Sequence, residues 1–395
     1  MATIKIKEDV FYVGANDWDR RLFDELIPLP EGTSYNSYLI KGSEKTALID
    51  TVDPAKARIL YEHLAALNVD RIDYVIPNHG EQDHSGMIPG ILEKFPMAKV
   101  VTNVKCKDFL KDLLLIDDEK FVVINEGDTL SLGNRTLQFF MTPWVHWPET
   151  QVTYLKEHKI LFSCDFFGSH LATSDIFVRN EYDVYQNAKR YFAEIMMPFR
   201  TQIKKNIEKV ETLDIDMIAP SHGPIYNNPK FIIDAYKDWI SDNVKKEVII
   251  PYVSMHESTL EMVNYVVDSL IEKGMNVKPF NLSRTDIGEL AMSLVDASTV
   301  ILGSPMVLAG PHPLAANAAF LVNMLRPKTR FLGIMGSFGW GGKIVEHLKT
   351  ILTNMITNIN IEVFEPVFIK GFPKKDDFSK LDKLVADIIE KNNSL

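Results

Sequence analysis

The stretch His79-Gly80-Glu81-Gln82-Asp83-His84 places four side chains that can bind a metal within six residues. Two of these side chains are imidazoles and two are carboxylates. A mixed set of this kind suits a transition metal such as iron or manganese, whereas sets rich in thiolates suit structural zinc. The segment therefore predicts a metal centre.

The bulk composition limits the classes of protein that this chain can belong to. It has 395 residues, 46% of them hydrophobic, and a formal net charge of -10. An acidic protein is not expected to bind nucleic acid, because phosphate binding requires a basic surface. The segment from Met1 to Glu8 lacks the apolar core of a signal peptide, and no apolar run reaches the roughly 18 residues of a membrane-spanning helix. With only Cys106 and Cys164, no disulfide framework is possible, so we expect a cytoplasmic protein without a membrane partner.

The pattern of apolar runs changes near residue 245 and predicts two domains, residues 1–245 and 246–395. The first contains short strands, hairpins at 129–142 and 151–162, and one long helix at 187–211. In the second, strands at 248–253, 276–282, 299–303, 330–335 and 360–364 alternate with helices. That alternation is typical of a parallel sheet covered on both faces.

Three isolated side chains downstream are candidates to complete the metal centre. His146, Asp165 and His222 each follow an apolar segment, where a ligand can point from a sheet edge toward a shared point. A lone histidine in such a position is more often an ordinary loop residue, and Asp165 alone could be a turn or cap residue. Their prediction as ligands therefore depends on the block at 79–84.

Three loops at consecutive strand ends of the second domain predict a flavin mononucleotide (FMN) site. Ligands of doubly wound sheets bind beyond the carboxyl ends of the strands, and backbone N–H groups at a helix start bind phosphate. Each loop alone is weak support, since a serine-rich turn is usually only a helix cap. The candidate residues are Ser254, Met255, His256, Glu257, Ser258 and Thr259 in the first loop, Ser304, Pro305, Met306 and Val307 in the second, and Ser337, Phe338, Gly339 and Trp340 in the third.

The metal-binding segment resembles that of the metallo-β-lactamase superfamily, whose hydrolases carry His-x-His-x-Asp-His; here Glu81 replaces the second histidine. Combined with a flavodoxin-like second half, the chain resembles the flavodiiron proteins over nearly its whole length. The resemblance implies an α/β and α+β two-domain fold: a metallo-β-lactamase-like αββα sandwich followed by a flavodoxin-like doubly wound parallel sheet. It also implies two iron ions, one held by His79, Glu81 and His146, the other by Asp83, His84 and His222, with Asp165 bridging them.

The flavin loops depart from the pattern of that family at three positions. His256 stands where tryptophan is common, Met306 where threonine is common, and Phe338 where tyrosine is common. The last two exchanges remove hydroxyl groups, so the hydrogen bonding of the flavin is not carried over from the family. Residues 307–313 also differ from the usual pattern.

The resemblance implies an oxidoreductase that reduces dioxygen to water, nitric oxide to nitrous oxide, or both. No Gly-x-Gly-x-x-Gly follows a strand, so no nicotinamide cofactor is expected. The electron donor is then a separate molecule: rubredoxin, a reduced deazaflavin coenzyme or another flavoprotein. The family also implies a head-to-tail homodimer or a dimer of dimers.

Several points stay open on the sequence alone, among them whether His84 coordinates iron. A zinc-dependent hydrolase with a flavodoxin-like appendage and an FMN electron carrier with empty metal positions are the alternative functions. His170 is either a neighbour of the metal centre or a surface residue. Tyr191 is either a proton donor or a core tyrosine.

Overall fold

The computed structural model describes residues 4–357, 359 and 361–395, which form two compact units. One unit comprises the chain up to Phe192 together with Phe199–Ile240, and the other comprises Ala193–Pro198 together with Ser241–Leu395. The division at residue 245 remains our proposal for the domain boundary; Lys245 is the first residue of a strand. The predictions that involve Met1 to Thr3 and Asn360 lie in part outside the described residues.

The first unit is built on two sheets. One has the order β1-β2-β7-β8-β9-β10-β11 and the other the order β12-β13-β14-β15-β16, while β3 pairs with β6 and β4 pairs with β5. The strands are β1 (Ile4–Lys7), β2 (Val10–Tyr12), β3 (Ala15–Asp17), β4 (Leu22–Phe23), β5 (Ile27–Pro28), β6 (Thr33–Tyr35), β7 (Tyr38–Lys41), β8 (Thr46–Ile49), β9 (Tyr74–Ile76), β10 (Lys99–Thr102), β11 (Phe121–Val123), β12 (Thr129–Ser131), β13 (Thr136–Met141), β14 (Gln151–Leu155), β15 (Ile160–Cys164) and β16 (Met217–Pro220).

The two sheets pack face to face, and helices cover them from outside. Tyr38 and Ile49 of the first sheet share one buried cluster with Phe139 and Phe162 of the second. The helices of this unit are α1 (Ala57–Ala66), α2 (Gln82–Ser85), α3 (Ile88–Lys94), α4 (Val104–Leu114), α5 (Glu181–Tyr191), α6 (Arg200–Val210) and α7 (Pro229–Ile240), with 3-10 turns at Pro54–Lys56 and Asp118–Lys120. The apolar sides of α1, α3 and α4 form a second cluster with the outer face of the first sheet. This is the predicted αββα sandwich.

The predicted hairpins are confirmed, but the single helix at 187–211 is wrong. The helix α5 begins earlier, at Glu181, where the Asn180 side chain accepts the N–H of Asp183 as a cap. It ends at Tyr191, and a π-helical turn (Phe192–Met196) and a 3-10 turn (Met197–Phe199) precede α6. Pro198 explains part of the break, because proline lacks the N–H that a continuous helix requires.

The second unit is a parallel sheet in the order β18-β17-β19-β21-β22, with β20 paired to β19 and β23 paired to β21. Apart from the β19–β20 hairpin, the pairs of this sheet are parallel. Its elements are β17 (Lys245–Tyr252), α8 (Ser258–Glu272), β18 (Asn276–Asn281), α9 (Ile287–Leu294), β19 (Ala297–Val307), β20 (Gly310–Pro311), α10 (Pro313–Leu325), β21 (Phe331–Phe338), α11 (Ile344–Ile351), α12 (Thr353–Thr357), β22 (Glu362–Val363), β23 (Val367–Lys370), a 3-10 turn (Lys375–Asp377) and α13 (Phe378–Asn393). The strand order is that of doubly wound flavodoxin-like sheets, as predicted.

Over the part of the chain that the structure describes, no helix combines the length and the apolar character needed to cross a bilayer.

Candidate metal centre and flavin loops

The predicted metal ligands all belong to the first unit, and the fold brings them together at the ends of strands. They come from four separate segments of the chain, since the four ligands between His79 and His84 belong to one continuous stretch. They are His79 and Glu81 after β9, Asp83 and His84 in α2, His146 between β13 and β14, Asp165 after β15, and His222 after β16.

One set of four residues, which we call the first ligand group, consists of His79, Glu81, His146 and Asp165. Oε2 of Glu81 lies 3.1 Å from Nε2 of His79 and 3.2 Å from Nε2 of His146. Oδ2 of Asp165 lies 3.5 Å and 3.3 Å from the same two nitrogens. Two imidazoles and two carboxylates therefore face one common point.

The other oxygen of Asp165 faces a second ligand group, formed with Asp83, His84 and His222. Oδ1 of Asp165 lies 3.0 Å from Nε2 of His84 and 3.4 Å from Nε2 of His222. Oδ2 of Asp83 lies 3.3 Å and 3.2 Å from these nitrogens. Asp165 thus stands between the two groups and offers one oxygen to each.

The spacing of these atoms fits metal coordination. With metal–ligand bonds of about 2.1 Å, neighbouring ligand atoms are roughly 3.0 to 3.4 Å apart in octahedral or tetrahedral geometry. None of the described residues gives a well-directed hydrogen bond to either oxygen of Asp83 or Asp165, or to Nε2 of His84, although all of these atoms are buried. Buried polar atoms require partners, and a metal ion in each group would supply them.

The protonation of the metal-free site follows from its carboxylates. Burial by itself lowers the pKa of His146 and His222, but the surrounding carboxylates raise these pKa values to about 9 and about 10. The pKa values of His79 and His84 are raised for the same reason, against the same effect of burial. Burial opposes ionisation of Asp165, yet the histidines hold its pKa well below the usual range. A metal ion must therefore displace protons to bind.

Glu149 is part of the site although the sequence did not single it out. Its Oε1 lies 2.6 Å from Nδ1 of His79 and accepts the backbone N–H of Gly80 at 3.0 Å. Burial disfavours the ionised carboxylate, but the hydrogen bond and charge of His79 lower the pKa of Glu149. Because Glu149 occupies Nδ1, Nε2 of His79 is left for the metal. Glu149 follows His146 by three residues, and nothing in that spacing distinguishes it from a surface carboxylate.

His222 is oriented in a different way. Its Nδ1 lies 2.6 Å from the backbone carbonyl oxygen of Ser34, and the next residue, Gly223, donates its N–H to Oγ of Ser34 at 2.8 Å. Gly223 has φ of +78°, and a Cβ atom there would lie 2.0 Å from Oγ of Ser169. Glycine is therefore required directly after this histidine.

Asp50 is a second buried residue that the sequence did not indicate. Its carboxylate accepts the backbone N–H of Asn78 at 2.7 Å and the hydroxyl of Ser221 at 3.2 Å. Asn78 and Ser221 immediately precede His79 and His222. Asp50 therefore connects the loop that carries His79, in the first ligand group, to the loop that carries His222, in the second.

His170 and Tyr191 lie beside the second ligand group and belong to neither group. The ring of His170 is 4.7 Å from that of His222 and 4.8 Å from that of Tyr191, and its Nδ1 is 2.9 Å from Oγ1 of Thr33. Burial, with the charge of His222, lowers the pKa of His170 well below its usual range. Burial raises the pKa of Tyr191 well above its usual range. Both side chains are therefore neutral near pH 7.

The candidate flavin residues lie at the carboxyl ends of β17, β19 and β21, which are neighbours in the sheet. The strands predicted to end at 303 and 335 run farther, so Ser304–Val307 still belong to β19, and Ser337 and Phe338 still belong to β21. The first and third loops meet where the buried hydroxyl groups of Thr259 and Ser337 lie 2.9 Å apart. In the second loop, the Ser304 hydroxyl accepts the N–H of His312 at 3.0 Å. A Cβ atom on Gly336 would lie 1.9 Å from the carbonyl oxygen of Ser304, so the strands can approach only with glycine there.

The outer parts of the three loops are open to solvent, and their inner parts are buried. Ser254 accepts the N–H of Leu260 through its hydroxyl at 3.2 Å and so caps the start of α8. Met306 is buried, and a Cβ atom on Gly342 would lie 2.2 Å from its sulfur. Among the remaining candidates, Met255, His256, Glu257, Gly339 and Trp340 are exposed, Ser258, Val307 and Phe338 are half-buried, and Pro305 is buried.

The first unit is an αββα sandwich with two adjoining ligand groups. The second is a doubly wound sheet with open loops at its carboxyl edge. Together they define a two-domain redox metalloprotein of the flavin-binding kind. A family model described as "ODP family beta lactamase" matches residues 33–223. The chain is 35% identical to the nitric oxide reductase of Moorella thermoacetica over 354 residues, which cover 87% of this chain and 88% of that protein. It is 33% identical to the coenzyme F420H(2) oxidase of Methanothermobacter marburgensis over 366 residues, which cover 89% and 90%.

Among solved structures, the rubredoxin oxygen:oxidoreductase of Desulfovibrio gigas matches with a TM-score of 0.93 and 29% identity, covering 100% of this chain and 99% of that one. The chain belongs to the flavodiiron protein family. It is an oxidoreductase, and its cofactors are FMN and a pair of iron ions.

Proposed function

We propose that this protein takes electrons from an external donor and reduces dioxygen to water, nitric oxide to nitrous oxide, or both. The observation that carries the proposal is the position of Asp165, whose two oxygens each face a separate group of imidazoles and carboxylates. Such ligands suit non-haem iron with open coordination positions. A flavin site in the same chain favours electron transfer over hydrolysis, because hydrolysis has no use for an electron carrier.

Each ligand group is proposed to hold one iron ion. The first ion is held by His79, Glu81 and His146, the second by Asp83, His84 and His222, and Asp165 bridges the two. When bound, a reduced flavin supplies two electrons and two ferrous ions supply one each, which matches the four electrons that convert dioxygen to water. The FMN is proposed to lie on the residues of the three loops named above.

Side chains around the second ligand group are suited to a small, uncharged substrate. Phe23, on the β4–β5 hairpin, lies with its ring centroid 5.1 Å from that of His170 and 6.3 Å from that of His222. Tyr191 keeps its phenolic proton at neutral pH and is proposed to donate a hydrogen bond toward the substrate. An apolar ring and neutral polar groups admit a diatomic gas and offer little to a charged ester or lactam.

The donor is proposed to be rubredoxin, a reduced deazaflavin coenzyme or another flavoprotein. Two relatives support this range, one named a rubredoxin-oxygen oxidoreductase and one a coenzyme F420H(2) oxidase. A head-to-tail homodimer or a dimer of dimers is proposed, because electron transfer requires the FMN of one subunit to lie near an iron pair. The cytoplasm is the proposed location, in keeping with two buried free cysteines.

The test is anaerobic purification followed by quantitation of iron, zinc and flavin, then turnover with each gas and one donor. We expect about two iron ions and one FMN per chain, with consumption of dioxygen or nitric oxide. Zinc in place of iron would favour the hydrolase alternative. FMN without metal and without turnover would favour an electron carrier.

A further inference from the structure

The two ligand groups differ in what holds their histidines from outside. Nδ1 of His79, in the first group, lies 2.6 Å from a carboxylate oxygen of Glu149. Nδ1 of His222, in the second group, lies 2.6 Å from the carbonyl oxygen of Ser34. Nδ1 of His84 has no hydrogen-bond partner among the residues that the structure describes. An anionic outer partner is thus seen at His79, whereas a neutral one serves His222.

We propose that Glu149 makes the two iron positions electronically unequal, so that the iron held by His79, Glu81 and His146 is the harder of the two to reduce. This inference rests on the ligand assignment of the proposed function. Glu149 touches neither the substrate nor the metal position and acts through His79, so it is a positioning residue.

The physical basis is the added negative charge. When one ring nitrogen of an imidazole binds a metal, the other carries the N–H. A carboxylate that accepts this N–H makes the imidazole a stronger electron donor to the metal. Apart from the shared Asp165, Glu81 and Glu149 contact imidazole nitrogens of the first group, whereas Asp83 contacts those of the second. The buried carboxylate of Asp50 lies near His84, but its hydrogen bonds are to Asn78 and Ser221 and not to an imidazole. Charges that are buried are screened little by salt. The extra charge favours ferric over ferrous ion at the first position.

The surroundings of Glu149 hold this contact in place. Its side chain has no solvent exposure. The backbone N–H of Gly80 holds the carboxylate oxygen that faces His79, and Nδ2 of Asn103 donates to the backbone carbonyl of Glu149 at 2.7 Å. Anchoring at both ends fixes the carboxylate beside the imidazole.

The charge of Glu149 is expected to separate the reduction of the two iron ions into two steps. With two ferric ions bound and a chemical reductant supplying the electrons, the iron at the second position would accept the first electron. The iron held by His79, Glu81 and His146 would accept the second electron, at a lower potential. A half-reduced state with one ferric and one ferrous ion is therefore populated over an interval of potential.

The test is a redox titration of the iron-loaded holoenzyme followed by electron paramagnetic resonance, comparing the wild type with Glu149→Gln. Glutamine keeps the shape and the acceptor oxygen but removes the charge. We expect the lower midpoint to rise, the upper one to stay, and the half-reduced signal to shrink. Each tenfold loss of ferric preference moves the lower midpoint by about 59 mV.

Glu157→Gln is the matched control, because Glu157 also accepts a backbone N–H, from Thr136 at 2.8 Å, at an exposed hairpin. An unchanged lower midpoint in iron-loaded Glu149→Gln, or equal movement of both midpoints, would overturn the proposal. If Glu149→Gln does not fold or does not bind iron, the same titration of Glu149→Asp tests the proposal. Its carboxylate is withdrawn by one methylene, so a wild-type lower midpoint in this variant would also overturn the proposal. Wild-type iron content and gas turnover test the proposed function independently of these potentials.

Discussion

Iron binding to the metal-free protein is expected to release at least two protons per chain at pH 7. Metals bind the neutral imidazole, whereas His146 and His222 stay protonated below pKa values of about 9 and about 10. Both pKa values are raised, so the affinity for iron increases with pH and levels off only above the higher of them, about 10. His79 and His84 shift in the same direction and can add to the proton release.

The size of the effect follows from the same two values. At pH 7, His146 lies about two and His222 about three pH units below its pKa, and each unit corresponds to about 1.36 kcal/mol. Deprotonation therefore opposes loading by about 3 and about 4 kcal/mol, or about 7 kcal/mol for the pair. The overall loading constant should rise about a hundredfold for each pH unit near pH 7.

Anaerobic calorimetry with ferrous ion provides the measurement. Titrations at one pH in two buffers of different ionisation enthalpy give the number of protons released. His222→Gln should release fewer protons and bind less iron, while His158→Gln, which changes a histidine outside both ligand groups, should match the wild type. Release of less than one proton at pH 7, or an affinity independent of pH between 6 and 9, would refute the reasoning.

Three further changes test other parts of the structure. His79→Ala should abolish gas turnover and lower the iron content while FMN stays bound, and full turnover in this variant would contradict the ligand assignment. Gly336→Ala should reduce FMN affinity more than tenfold in a fluorescence titration at unchanged iron content, because its Cβ would lie 1.9 Å from the Ser304 carbonyl oxygen; wild-type affinity would show that the two strands can separate. Leu308→Asn combined with Ala309→Gly should raise the free energy of unfolding by about 1 kcal/mol in urea, because both residues adopt positive φ in the β19–β20 turn; a decrease would show that Leu308 has stabilising contacts.

Local sequence was sufficient for the features that depend on neighbouring residues. The hairpins between β12 and β13 and between β14 and β15, and the alternation of strands and helices after β17, follow from short-range patterns of apolar and turn residues. The helix predicted at 187–211 failed because apolar periodicity continues through Pro198, whereas the backbone hydrogen bonds do not.

The block at 79–84 could be recognised as metal-binding because its ligands are adjacent in the chain. His146, Asp165 and His222 were candidates because each follows an apolar segment, and the flavodiiron resemblance assigned them to the two iron positions. Only the tertiary structure showed that the two oxygens of Asp165 face different groups of histidines. It alone revealed Glu149, which meets His79 across 70 positions of sequence, and Asp50, which meets Ser221 across 171. Such contacts leave no local signal, because a buried carboxylate and a surface carboxylate look alike until the folded chain decides which groups surround each one.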